Sequence, residues 1–89
     1  MTLTMRAVEV QDDESLKIVD LPRPEPKGAE VLVKVHAFGV NRGDLLQRKG
    51  MYPSPKGASP LMGLEACGVV EAVGPEADRW SVGDKVCAL

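Results

Sequence analysis

Histidine occurs once in these 89 residues and cysteine twice, so the chain is poor in the soft donors from which protein metal centres are assembled. His36, Cys67 and Cys87 are the whole supply, and nothing in their spacing resembles a zinc site. Two cysteines without a secretory context read as free, buried thiols rather than a structural bridge. A dominant charge is also missing: 11 basic and 13 acidic residues leave a net charge of -2, with Lys and Arg scattered among acids. Such a balance gives no reason to seek a phosphate backbone, and no nucleic-acid function is read from it. Long hydrophobic runs are absent too, because Glu65 and Glu71 interrupt the most apolar stretch far short of a membrane span. The first ten residues lack the basic cap, apolar core and cleavage pattern of a secretory signal. The expectation is a soluble, cytoplasmic protein without a membrane partner.

What is present is ordinary for a globular sequence: 44% hydrophobic residues, nine glycines and seven prolines. One small domain fits this length, and it buries roughly 60% of its unfolded surface, which leaves stability marginal unless more chain or a partner contributes. The β-prone runs 6–10 and 16–21 flank the polar group Gln11-Asp12-Asp13-Glu14-Ser15, a hairpin pattern. Pro22, Pro24 and Pro26 then remove ladder donors and favour an extended connector. From Glu30 to Asn41 the residues Val31, Val33, Val35 and Ala37 share one parity while Lys34 and His36 share the other, which predicts a strand with one buried face. His36 is either a proton shuttle or ligand, or simply a solvated residue beside Lys34.

Asn41 continues the parity of the valines, so an amide emerges at the end of the core-facing row. It either bonds loop backbone or lines a pocket, since leaving a buried amide unpaired costs about 1–3 kcal/mol. Asp44-Leu45-Leu46-Gln47 has the form of a capping box, with Arg48 and Lys49 in the last turn and Gly50 as the stop of a short helix. The prolines, Gly57 and small polar residues of 51–60 mark an irregular loop that carries Tyr52, the single tyrosine, either laid on the surface or walling a ligand site. The glycine-punctuated stretch 61–74 suits a crowded barrel or sandwich interior, which Glu65 enters as a carboxylate. Glu65 is a general acid or base, or the partner of an arginine such as Arg42 or one outside the chain. Residues 85–89 read as a strand that reaches the final residue without a turn, so more chain is expected to follow.

The ordered set Asn41-Arg42-Gly43-Asp44-Leu45-Leu46-Gln47-Arg48-Lys49-Gly50, Tyr52, Gly57-Ala58-Ser59, Gly63-Leu64-Glu65-Ala66-Cys67-Gly68 and Val82-Gly83-Asp84-Lys85-Val86 resembles the zinc-free quinone oxidoreductases of the medium-chain dehydrogenase/reductase superfamily, in the branch of the p53-inducible quinone reductase. That resemblance implies a mainly β fold, a GroES-like partly open barrel with one short helix, in which residues 1–89 form the N-terminal portion of the catalytic domain. The Rossmann domain would come from later sequence, and no G-x-G-x-x-G element follows a strand here.

Zinc-dependent cousins carry Cys where Asn41 stands and His where Leu64 stands, so the resemblance implies that no zinc is held at either position. It further implies NADP as cofactor, a small-molecule quinone or enone as acceptor and a homo-oligomer in the full-length form. Asn41 and Tyr52 would line the substrate and nicotinamide pocket; Asp44 matches a position that supports a metal-bound His in zinc relatives and, with Leu64 in place of that His, is left as helix-capping support, while Glu65 is read from the residues alone as structural support through an ion pair. Leu46 stands where some quinone reductases carry tyrosine, which removes part of their pocket polarity. Two alternatives stay open: an enoyl-thioester reductase of the same superfamily, and a non-catalytic β module that binds a partner.

Overall fold

The computed structural model describes residues 3–51, 54 and 56–89. The described elements are β1 (Thr4–Val10), β2 (Leu16–Pro22), β3 (Val31–Phe38), α1 (Arg42–Arg48), β4 (Ala66–Val73) and β5 (Lys85–Ala88). Strands β1 and β2 form one antiparallel sheet and β3-β4-β5 another, so the fold is mainly β, with one short helix and no closed barrel among the described residues. Among the described residues no helix is long and apolar enough to cross a membrane. The chain divides into two compact units, Met1–Arg23 with Val40–Leu64 and Pro24–Gly39 with Glu65–Leu89.

In the first unit the predicted hairpin is present, with register running from Thr4 opposite Pro22 to Val10 opposite Leu16. Alternation sorts its faces: the facing pairs Met5 with Leu21 and Ala7 with Val19 are half-buried, while Val8 opposite Ile18 is exposed. The turn closes through the Gln11 N–H donating to the Ser15 carbonyl at 2.8 Å and the Glu14 N–H donating to the Gln11 carbonyl at 2.9 Å. Glu14 adopts φ 68 there, a left-handed conformation that costs a side chain with a Cβ. Asp13 accepts from the Ser15 hydroxyl and from its N–H at 3.0 Å, and these bonds hold its carboxyl below the usual carboxylate range. Their stabilisation is present above that range and is lost as pH falls through the lowered value.

In the second unit, β3 and β4 pair with one extra residue on each strand: Glu71 between the pairs Leu32–Ala72 and Val33–Val70, and His36 between Val35–Gly68 and Ala37–Cys67. This corrects the expected burial of one parity. Val31, Leu32 and Val33 are all half-buried, whereas Val35 is 51% and Phe38 69% exposed. The bulge at His36 breaks the two-residue period, and no described residue covers that end of the strand. The second correction concerns the stretch 61–74, where regular pairing starts only at Ala66.

Two glycines of β4 and its exit make the sheet possible. A Cβ at Gly68 would collide with the Lys34 carbonyl, coming within 2.8 Å of the carbonyl carbon and 3.0 Å of Val33 Cγ1. At Gly74 it would strike the Gly28 carbonyl, and the Gly74 N–H instead donates to the Glu30 carbonyl at 2.8 Å. Between them sits Val70, 1% exposed, which with Ala77 makes the buried hydrophobic core of the described residues. That core is small for the length, so the fold rests heavily on its ladders. Gly68→Ala should therefore lower the unfolding free energy by about 1–3 kcal/mol, the usual penalty of forcing volume into a packed site. A urea midpoint equal to that of the parent would show that β3 can yield.

Candidate functional site

Asn41 is the N-cap of α1, with extended backbone angles of φ -121 and ψ 165. Its N–H donates to Asp44 Oδ2 at 2.9 Å, and the Asp44 N–H donates to the Asn41 carbonyl at 3.0 Å. The capping box thus lies one helical turn earlier than the sequence pattern places it: Asp44 is the third helical residue, not the cap. Asn41 supplies a better start because it leaves the carboxylate inside the first turn, near the positive end of the helix. The C-terminus follows the sequence more closely. Gly50 has φ 74, its N–H donates to the Gln47 carbonyl at 3.0 Å, and the Met51 N–H donates to the Leu46 carbonyl at 2.8 Å.

Gln47 does not reach back as the expected box requires. Its Nε2 donates to Ser54 Oγ at 3.0 Å, the Leu61 carbonyl at 3.3 Å and the Pro60 carbonyl at 3.4 Å, so it ties the following loop to α1. Arg48 Nε donates to the Glu14 carbonyl at 2.6 Å and joins the helix to the hairpin turn. Sequence reasoning missed both ties, because a glutamine or arginine on a short helix carries no local sign of a partner so far along the chain.

Two atoms at this corner stand out. Asp44 is 8% exposed, and its Oδ1 has no hydrogen-bond partner; neither has the buried Nδ2 of Asn41. One is an acceptor and the other a donor, each costly to bury unpaired. Leu64 lies against the same first turn, for a Cβ added at Gly43 would come within 3.1 Å of Leu64 Cδ1. The structure therefore brings Asn41, Asp44 and Leu64 to one corner. Tyr52, expected at the pocket, lies outside the described residues.

Glu65 belongs to the second unit. Contrary to the expected interior carboxylate, it is exposed, and it has no ion-pair partner among the described residues. Its side chain folds over Gly39, where a Cβ would collide with Oε2, and its carbonyl accepts from the Gly39 N–H at 3.3 Å. The strand begins only after Glu65, so its side chain is not committed to the sheet interior. It borders an open concavity formed by the ends of β3, β4 and β5, lined by Phe38, Gly39, Cys67 and Cys87 among others. Cys67 is half-buried but Cys87 is exposed, so the expected burial of both thiols fails. His36 is exposed, and among the described residues no three His, Cys, Asp or Glu side chains converge.

The carboxylate of Asp44 is the strongest local test of the corner. Asp44→Ala removes the acceptor of the Asn41 N–H and should cost roughly 1–2 kcal/mol of stability, as lost helix caps do. An unchanged urea midpoint would show that this bond contributes nothing.

Residues 27–89 match the alcohol dehydrogenase GroES-like domain family. A quinone oxidoreductase of Pseudomonas aeruginosa is 44% identical over 73 residues, covering 82% of this chain and 22% of that protein. A phenolphthiocerol/phthiocerol polyketide synthase of Mycobacterium tuberculosis is 39% identical over 88 residues, covering 93% of this chain and 4% of that protein. A mycobacterial protein solved as a complex with NADPH superposes with a TM-score of 0.78 at 42% identity, over 93% of this chain and 27% of that one. The chain therefore spans about a quarter or less of each of these relatives.

Proposed function

Because the chain belongs to the alcohol dehydrogenase GroES-like domain family, we propose that it is the N-terminal portion of a zinc-independent, NADPH-dependent reductase acting on a conjugated acceptor, a small-molecule quinone or enone. The observation that carries this reading is the unpartnered, buried Nδ2 of Asn41 at the start of the helix turn against which Leu64 lies. A catalytic zinc takes three protein ligands drawn from thiolate, imidazole and carboxylate. Asn41 offers a neutral amide and Leu64 an isobutyl group without a lone pair, so the corner suits hydrogen bonding rather than metal ligation.

When bound, NADPH supplies a hydride to an electron-poor carbon. Asn41 donates from Nδ2 to the acceptor's carbonyl oxygen, where negative charge develops, and a donor already held in place stabilises that charge without rearrangement. Asp44 fixes the donor, since its Oδ2 holds the Asn41 backbone while the helix turn holds Asp44. Leu64 gives the corner an apolar wall. A conjugated acceptor needs less polarisation than an isolated ketone, so an amide suffices. Tyr52 is assigned to the same pocket as an aromatic wall.

The full-length parent is proposed as a cytoplasmic homo-oligomer whose cofactor phosphates are held by a domain outside this chain. The exposed apolar side chains Val35, Phe38 and Val40 suit a segment that further protein covers. A second reading, an enoyl-thioester reductase, is favoured by the likeness to a polyketide synthase. Turnover of a panel of quinones against enoyl thioesters by the parent separates the two.

In the parent, Asn41→Ala should lower kcat/KM about tenfold, the worth of one well-placed hydrogen bond, and Tyr52→Ala should raise KM. Dialysis against a chelator should leave the rate unchanged. Loss of activity that added zinc restores would overturn the metal-free reading, and unchanged kinetics in Asn41→Ala would remove the amide from the pocket. The 89-residue chain alone should not oxidise NADPH in the presence of quinones.

A further inference from the structure

Cys67 and Cys87 face each other in the β4–β5 ladder. The phase of that ladder is set where the Val70 N–H donates to the Asp84 carbonyl at 2.8 Å, which marks a hydrogen-bonded position. Such positions alternate in an antiparallel pair, so Gly68 with Val86 and Ala66 with Ala88 are hydrogen-bonded pairs and Cys67 with Cys87 falls between them. At a non-hydrogen-bonded pair the Cα atoms lie about 4.5 Å apart and the side chains leave the same face. A disulfide spans Cα separations of roughly 4.4–6.8 Å, so this register presents the two sulfurs for bonding with little backbone movement. Both residues line the open concavity at the strand ends, with the Glu65 carboxylate on its border.

We propose that Cys67 and Cys87 form a reversible dithiol–disulfide site whose oxidant is a hydroperoxide. The Cys87 thiol is pushed up, first by the charge interaction with Cys67, then by desolvation, by hydrogen bonding with Cys67 and by the Glu65 charge. Cys67 opens the sequence and Cys87 resolves it. The Cys67 thiolate attacks one peroxide oxygen, the O–O bond breaks, and the departing hydroxide takes up a proton to leave as water. The resulting Cys67 sulfenic acid is then attacked by the Cys87 sulfur; the S–O bond breaks, and the oxygen leaves as a second water with the Cys87 proton. Two thiols lose two electrons and one hydrogen peroxide becomes two waters. The bond pins β4 to β5 and takes both thiols out of the wall of the concavity, and a thiol reductant reverses it.

The test is to expose the purified protein to hydrogen peroxide, quench with an alkylating agent, and map the disulfide by proteolysis and mass spectrometry, in buffer and in urea. The expected product is an intramolecular Cys67–Cys87 link, two hydrogens lighter and removed by dithiothreitol, formed at least about tenfold faster in the folded protein because the strands hold the thiols together. Cys87→Ser should instead stop at sulfenic or sulfinic acid on Cys67. A folded protein that yields only oxygenated or intermolecularly bridged cysteines, that stays unmodified, or that forms the link no faster than the unfolded chain would overturn the proposal.

Discussion

The backbone of β4 runs so close to the Lys34 carbonyl that position 68 has no room for a Cβ, and the three-stranded sheet is organised around that approach. With Val70 and Ala77 as the buried apolar side chains of the described residues, hydrophobic burial alone gives little cohesion. Ladder hydrogen bonds carry the remainder, and they require β3 and β4 to meet at full contact. Gly74 repeats the same economy one turn later against Gly28. Strand β4 carries the buried Val70 and sets Cys67 opposite Cys87 of β5.

The chemistry of the helix corner rests on a division of labour within one carboxylate. Oδ2 of Asp44 caps the helix start, whereas Oδ1 is buried and unpaired, as is the neighbouring amide nitrogen of Asn41. Unsatisfied polar atoms of this kind persist where a function needs them, because folding alone would select against them. The same residues thus hold the start of the helix and leave one donor and one acceptor without a partner.

Much of this was legible in the sequence, for reasons that are local. The hairpin declared itself through two β-prone runs around a polar five-residue turn, and the end of α1 through Arg48, Lys49 and Gly50. The start of α1 misled because Asp44 is as good a cap as Asn41 by composition; only backbone angles separate a cap from a residue one turn inside. The parity rule failed at Val35 since residue type does not show that no described residue covers that end of the strand, and Glu65 was placed inside since the strand was read as beginning five residues too early. The pairing of Cys67 with Cys87 was open in the sequence but ranked below free thiols, because their meeting depends on the register marked by Val70 and Asp84.

The extra residue in β3 also has a bearing on recombination. Exchanging this strand for one from a relative transfers a count as well as a composition: a donor segment with a different number of residues between Val35 and Ala37 must either resize the bulge or slide the residues after it by one place against β4. A chimera in which the strand slides would lose the partnership of Phe38 with Ala66 and the bond from the Gly39 N–H to the Glu65 carbonyl. Its junctions belong outside Val35–Ala37, so that the extra residue at His36 travels with its neighbours while Glu71 stays behind in β4.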